Sequence, residues 1–546
     1  MTASMNEGIS RRGLFKIGAL AGVAALGANY MVACAPKMEG NGKSGGSGSG
    51  SDDFSTPSFL KRPEAITDFA ETKDYDIVVV GAGAAGVPCA LAAFENGAKV
   101  AVLQKESRAI SQGNFCGGIL LDQSDPAGVA AITSAYVASN HHSAKRKIVD
   151  IWAKNSGEAV SWLFDRAQKA NAQVVNVGNA LQMAVTNING YKVNYITAFF
   201  GPKPYTFGDG IAAVADYAQQ QGVDFYYSTP GVQLITAEDG SVTGVIGQSG
   251  KDYIRFNASK GVVLACGDFQ NDDEMCEYFI PGLENIDRKC SGRTGDGHKM
   301  GYWAGAALST VYSKMVHDMD AGPVAMMDQP QFLCVNESGE RFAPETIGMY
   351  VTNNYTTDYG GKYTQVFGSN YMDYADRFPG LTSPEDLQAY MPEYDGAHPG
   401  VFEGFIATYK ADTLEELADK LGLDRAAFVA SVNRYNELCA KGADEDFGKP
   451  ASCMIPIEKA PFYGIHRHVR LSCIDGGLIV DENLQCLNAK GEPIKGLYAV
   501  GVVGAGSSGG DNWLAGGQTG STCVGGTALG RSVTGGYVVG KRLAAL

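Results

Sequence analysis

Three glycines spaced as Gly81-x-Gly83-x-x-Gly86 are the first residues of this chain whose types and positions point to chemistry. A turn of this kind holds a pyrophosphate. Its first glycine permits the tight bend, its second lets backbone N–H groups approach the anion, and its third lets a helix pack closely. Ala85 lies within the same turn and is a further candidate contact. The anion rests on the N-terminus of the helix that follows, where unpaired N–H groups and the helix dipole favour negative charge.

The elements needed to position that turn are present. Tyr75-Asp76-Ile77-Val78-Val79-Val80 is a β-branched run without polar alternation, the pattern of a parallel strand buried on both faces. An apolar helix follows and stops before Asn96-Gly97, a C-terminal signal, and Lys99 to Leu103 is the second strand. This is a complete βαβ unit of about thirty residues, the context in which the glycine motif is informative. An acidic residue ordinarily ends the second strand and bonds the adenosine ribose. Here Gln104 takes that place, followed by Lys105. Gln104 either bonds the ribose through weaker, uncharged hydrogen bonds or is a strand-end polar residue.

Four later blocks narrow the dinucleotide. They are Gly113-Asn114-Phe115-Cys116-Gly117-Gly118, Gly261-Val262-Val263-Leu264-Ala265-Cys266-Gly267, Thr294-Gly295-Asp296-Gly297-His298-Lys299-Met300 and Gly496-Leu497-Tyr498-Ala499-Val500-Gly501. In this order and spacing the chain resembles, from Asp74 to Leu546, the flavoprotein superfamily of soluble fumarate reductases, urocanate reductase and 3-ketosteroid dehydrogenases. The resemblance implies FAD as cofactor and an α/β class: a Rossmann-like FAD-binding domain with an inserted α+β capping domain. The expected boundaries are 74–312 and 456–546 for the two FAD-binding segments and 313–455 for the cap. It further implies cofactor contacts at Lys105, Asn114, Gly118, Asp296, Gly501, Val502, Ala528 and Leu529. The final helix, beginning near Gly526-Thr527, is implied to face the flavin N1 and C2 carbonyl with its positive end; the other reading is a glycine-rich helix entry. Within the cap, Thr413-x-x-Glu416 is a capping box opening an amphipathic helix that ends at Gly422. A second helix is expected from Asp424 to Gly442, and strand-like sequence resumes near Pro461.

The same resemblance locates a catalytic centre and shows where this chain departs from it. After Glu340-Arg341-Phe342-Ala343-Pro344-Glu345, the proton-donating arginine of fumarate reductases falls at Met349, beside Tyr350. Their histidine aligns with Cys473, and their C-terminal substrate arginine with Trp513 or Cys523, around an insertion from Ser507 to Thr522. Without these groups the charge-assisted grip on two carboxylates is gone. The expected substrate is therefore not fumarate but a small alkene, aromatic or polycyclic. The candidate catalytic set is Tyr350 as proton donor, Arg470 and Cys473. Arg470 or Arg467 could restore an anion site or be surface cations on a strand; His466, His468 and Asp475 are alternative acids. The implied reaction is reduction of an activated C=C bond, with hydride from flavin N5 and a proton from the cap. The alternatives are a 3-ketosteroid-type dehydrogenation or a flavin electron-carrier lipoprotein without turnover.

Composition bounds the partners. The 546 residues carry a net charge of −15, which argues against nucleic acid, since a phosphate-binding surface needs clustered Lys and Arg. Twelve cysteines include no Cys-x-x-Cys, so neither a haem attachment nor a compact metal site is expected. Electrons are then expected from a separate donor protein, a cytochrome or a membrane quinol-linked carrier. Ser10-Arg11-Arg12-Gly13-Leu14-Phe15-Lys16 matches a twin-arginine export pattern, followed by an uncharged stretch from Ile17 to Ala33. Met31-Val32-Ala33-Cys34 resembles a lipobox, so residues 1–34 are an expected signal with lipid attachment at Cys34. Residues 35–73, Gly- and Ser-rich from Gly40 to Ser51, are the expected tether.

Overall fold

The computed structural model describes residues 56–546 except 140–142, 183–184, 204, 318–321, 324–325, 327–329, 347–355, 379–380, 397–400, 402 and 507–523. The signal pattern, Cys34 and the Gly/Ser stretch lie outside the described residues.

The first strand, β1 (Glu71–Val80), is buried throughout its apolar half: Ile77, Val78 and Val79 expose nothing. Helix α1 (Gly86–Glu95) leaves the glycine turn and ends where Gly97 adopts φ +88°. Strand β2 (Val100–Leu103) returns parallel to β1, pairing Ile77 with Val100 and Val80 with Leu103. The chain then adds β3 (Phe115–Ile119), the long helix α2 (Arg146–Lys169), β4 (Tyr195–Phe200), β5 (Asp224–Tyr226), β6 (Asp252–Leu264) and α3 (Asp296–Trp303). β3 and β4 pair antiparallel, so Gly117 faces Thr197.

A separate apolar core follows, formed by β7 (Leu333–Val335), β8 (Lys362–Gly368), β9 (Thr408–Ala411), α4 (Leu414–Leu421), α5 (Arg425–Lys441) and β10 (Phe462–His468). The Thr413 hydroxyl accepts the Glu416 N–H at 3.1 Å, and Asp424 accepts the Ala427 N–H at 2.8 Å, capping α4 and α5. Both helices stop on left-handed glycines, Gly422 at φ +65° and Gly442 at φ +70°. The sheet order is β7-β8-β10-β9. Its last strand in sequence lies past the boundary drawn at residue 455.

The chain returns through β11 (Arg470–Asp475), β12 (Pro493–Ala499) and the final helix α6 (Thr527–Ala544). Among the described residues an eight-stranded sheet runs, from its Gln485–Leu487 edge, β12-β6-β1-β2-β5. β12, β6, β1 and β2 run parallel to one another, while the Gln485–Leu487 edge strand is antiparallel to β12. Two distant chain segments therefore make one sheet. α6 is seated on α1 by small residues: a Cβ at Gly536 would lie 2.0 Å from the Ala85 carbonyl, and one at Gly540 2.2 Å from that of Cys89.

The expected tether differs from the structure at its C-terminal end. Phe59 is buried, edge-on to Tyr278 with ring centres 5.5 Å apart, and its carbonyl accepts the Trp303 indole N–H at 3.0 Å. An aromatic side chain removes too much area from water to leave it on a free tether. No helix among the described residues is long and apolar enough to cross a membrane.

Candidate active site

A cleft opens at the C-terminal ends of β1, β2 and β6, where Val80, Leu103 and Ala265 line it. This is where open parallel sheets bind ligands. Counted out to its mouth and including the solvent that fills it, the cleft spans about 1500 Å³.

The glycine turn is shaped by close approach. Gly81 has φ +108°, and a Cβ there would lie 2.4 Å from the Ala265 carbonyl. A Cβ at Gly86 would lie 1.8 Å from the Gly81 carbonyl, so only glycine lets α1 start this near the strand. Gly83 lines the cleft, and its added Cβ would have the Ile110 carbonyl as its nearest neighbour, at 3.2 Å. The turn thus presents bare backbone to the cleft, and a helix N-terminus begins within it. α6 adds a second helix start on the same cleft, through Gly526, Ala528 and Leu529. These residues fit the elongated, anionic FAD: Gly81, Gly83 and Ala85 would hold its pyrophosphate.

The cleft gathers most of the residues singled out from sequence. Gly81, Gly83, Ala85, Gln104, Lys105, Asn114, Asp296, Cys473, Gly501, Val502, Ala528 and Leu529 all line it. Gly86 and Gly118 do not. Gly118 packs β3 on α2, where a Cβ would lie 2.4 Å from the Ser156 carbonyl. Gln104 donates its amide to the Arg108 carbonyl at 3.2 Å, which commits one amide hydrogen to its own loop. Lys105 bonds Asp296 and the Thr294 hydroxyl, each at 2.8 Å. Asn114 donates to the Tyr205 carbonyl at 2.8 Å.

Arg470 is half-buried on β11 and is not among the residues lining the cleft. Arg467 is no surface cation: it is 1% exposed, and its guanidinium donates to Gln365 Oε1 at 2.7 and 2.8 Å and to the Pro323 carbonyl at 3.1 Å. His466 shares a 3.0 Å hydrogen bond with Thr364, and His468 meets Asp287 at 3.1 Å. Met349, Tyr350, Trp513 and Cys523 lie outside the described residues.

Three charged residues of the cleft escaped the sequence reading: Glu106, Lys289 and Arg293. The Glu106 carboxylate lies against Gly292, where a Cβ would approach it to 2.4 Å. The signal was available, because Glu106 is an acid two residues past the strand end at Gln104. Nothing local marks Lys289 or Arg293, which arrive from a distant loop.

Cys473 is buried on β11, 5% exposed. Burial, then the neighbouring Asp268 and Asp475, push its thiol well above the ordinary cysteine range. It is a neutral, weakly polar group where the resemblance implied a histidine. The thiolate is the reactive form, so Cys473 is expected to stay unmodified when the folded holoprotein meets iodoacetamide at pH 8. Peptide mass spectrometry checks this; stoichiometric alkylation before unfolding would contradict it. Behind Cys473, Asp475 accepts from Arg531 of α6 at 2.9 Å, a buried ion pair joining β11 to the final helix.

Comparison with known proteins agrees with this cleft. Residues 76–518 match the FAD binding domain family. A vinyl phenol reductase of Lactiplantibacillus plantarum is 30% identical over 499 residues, covering 84% of this chain and 94% of that protein. A urocanate reductase of Eggerthella lenta is 26% identical over 465 residues, covering 81% of this chain and 72% of its own length. The open conformation of a flavocytochrome c3 fumarate reductase superposes with a TM-score of 0.64 at 23% identity, over 87% of this chain and 78% of that one, a likeness of fold. With its cofactor turn, its two-segment sheet and this match in hand, the chain belongs to the FAD binding domain family and is a flavin-dependent oxidoreductase.

Proposed function

We propose that this flavin-dependent reductase of C=C bonds acts on a small alkene conjugated to an aromatic ring rather than on a dicarboxylate. The observation that carries the reading is Cys473: a buried, uncharged thiol lines the cleft at the position where fumarate-type enzymes are implied to hold substrate with histidine. A neutral thiol gives no charge-assisted bond to a carboxylate. The 30% identity to a vinyl phenol reductase, over nearly all of that protein, supports the same substrate class.

Bound FAD supplies the hydride. The chain's part is to hold the alkene against the cleft, to exclude water and to deliver a proton to the neighbouring carbon. Tyr350 is the proposed donor, a phenol being able to act as a general acid. Electrons are proposed to reach the cleft from a separate carrier protein. The twin-arginine pattern and Cys34 support export and lipid attachment, for which the mass of the mature N-terminal peptide is the test.

Activity is tested by following oxidation of a reduced viologen against aryl alkenes, enoates, enones, steroids and fumarate. An aryl alkene is expected to turn over fastest; fumarate turning over as fast would sink the reading, and silence across the panel would favour an electron carrier. Tyr350→Phe is expected to lower kcat by about 10²–10⁴-fold, the usual worth of a positioned acid. Full activity in that variant would remove Tyr350 from the mechanism.

A further inference from the structure

The turn that opens α6 is held from outside the cleft by one side chain. Gln182 is 1% exposed. Its Nε2 donates to the Gly525 carbonyl at 2.9 Å and to Thr197 Oγ1 at 3.0 Å, and its Oε1 accepts the Gly525 N–H at 2.8 Å. Both amide hydrogens and the amide oxygen are engaged. A flipped amide would set oxygen against the Gly525 carbonyl, so the partners themselves fix the orientation. Paired bonds to the N–H and C=O of one residue are what a neighbouring strand would make; here a side chain makes them.

The turn has no room to settle elsewhere. The Gly117 N–H donates to the Gly526 carbonyl at 3.1 Å. A Cβ at Gly526 would lie 2.6 Å from the Gly117 nitrogen, and one at Gly117 would lie 2.3 Å from the Gly525 carbonyl oxygen. Gly526, at φ +77°, is the N-cap of α6 and offers no side-chain cap. Past Thr527, both Ala528 and Leu529 line the cleft. Their N–H groups belong to the first turn of a helix, whose donors have no acceptor within the helix and whose dipole favours negative charge nearby.

We propose that Gln182 is a positioning residue for the cofactor: by clamping Gly525 it fixes the first turn of α6 against the cleft and so sets how far the anionic reduced flavin is favoured over the oxidised form. The dipole's influence is confined to that first turn, so a small displacement there changes it. The proposal rests on FAD in the cleft and is independent of the alkene.

The test is a potentiometric titration of the holoprotein without substrate, comparing wild type with Gln182→Leu and Gln182→Glu. Gln182→Leu keeps the volume and removes the clamp. It is expected to hold reduced flavin about tenfold less tightly relative to oxidised flavin, a midpoint potential lower by about 30 mV for a two-electron couple. In Gln182→Glu a protonated carboxyl still offers one O–H and one carbonyl oxygen to Gly525, whereas a carboxylate cannot donate. Its potential is expected to match wild type at acid pH and to drop below it as the carboxyl ionises. A wild-type potential in Gln182→Leu, whatever its melting temperature, overturns the proposal. Where Gln182→Leu does not retain flavin, the Gln182→Glu series decides, and an offset from wild type that does not change with pH overturns it. Because no substrate is added, a failed alkene panel leaves this result untouched.

Discussion

Gly86→Ala is expected to yield a chain purified without flavin. The new Cβ would lie 1.8 Å from the Gly81 carbonyl oxygen and 3.3 Å from Ala265 Cβ. No rotamer relieves this, because both the added atom and the one it meets first are fixed by the backbone. The α1 N-terminus must move away from β1, or the Gly81 peptide must turn, and either change rebuilds the surface that faces the cofactor pyrophosphate. Overpacking of this kind costs about 1–3 kcal/mol. At the upper end, taken entirely from binding, that is about a hundredfold in affinity. The flavin-to-protein absorbance ratio after gel filtration, and the dissociation constant on adding FAD back, measure it. Gly97→Ala is the control: it is also strained, at φ +88°, but nothing lies within 4 Å of its added Cβ, so it should lower stability and keep the flavin. Stoichiometric flavin in Gly86→Ala would show that the turn relaxes without rebuilding the cleft.

Arg341→Met is expected to be the most destabilising change in the second core. Arg341 binds Glu345 through Nε and Nη2, both at 2.9 Å, and Asp444 through Nη1 at 3.1 Å and Nη2 at 2.8 Å. Lys449, fully buried, completes the cluster at 3.0 Å from Glu345 and 2.9 Å from the Tyr435 hydroxyl. Without the guanidinium, Glu345 keeps the Lys449 ammonium but Asp444 is left with backbone N–H partners alone, and breaking such a buried pair costs about 3–5 kcal/mol. Urea denaturation of the holoprotein reads this directly, and a loss below 1 kcal/mol would mean that water enters and solvates the carboxylates.

The same cluster has a pH signature with a definite sign. Burial pushes the Asp444 carboxyl up, but hydrogen bonds from Arg341 and from the Lys449 and Phe447 N–H groups outweigh it and hold it at about 2. Glu345 is likewise driven up by burial and brought below its ordinary value by Lys449 and Arg341. A carboxyl whose folded pKa lies below its unfolded value stabilises the fold fully above that unfolded value, about 4. That stabilisation is lost as pH falls from about 4 towards 2. Wild type should weaken steeply over this window, whereas Arg341→Met, having lost the main counter-charge, should weaken much less.

The parts of the molecule legible in the sequence are those whose information is local. β1, the glycine turn, α1 and β2 occupy one short run, and buried alternation-free strands and a glycine helix stop mark them without help from the rest of the chain. The caps at Thr413 and Asp424 and the stops at Gly422 and Gly442 are equally local, and the structure places them at those residues. What the sequence hid depends on long-range approach. Gln182 means nothing until Gly525 arrives from more than three hundred positions away. Arg467 reads as a strand cation until Gln365 and Pro323 close over it. Arg293 and Lys289 reach the cleft because the loop before α3 folds back against Lys105 and Glu106, just past β2. Phe59 belongs by sequence to a mostly polar run just past the Gly/Ser stretch and by packing to the aromatic cluster around Tyr278.

The sheet that joins β12 to β6, beside β1, has a consequence in time as well as in space. The wall of the cleft formed by Gly501, Val502 and the start of α6 is synthesised long after the glycine turn that it faces. Until then the glycine turn sits in a complete βαβ unit whose helix α1 lacks its α6 cover, even though domains generally fold N-terminal part first during synthesis. The full cleft therefore exists only once α6 has been made. Any chain truncated before α6 would lack both the clamp partner of Gln182 and the helix that seats on α1. Flavin retention then reports, in a single spectrum, that α6 has been made and seated on α1.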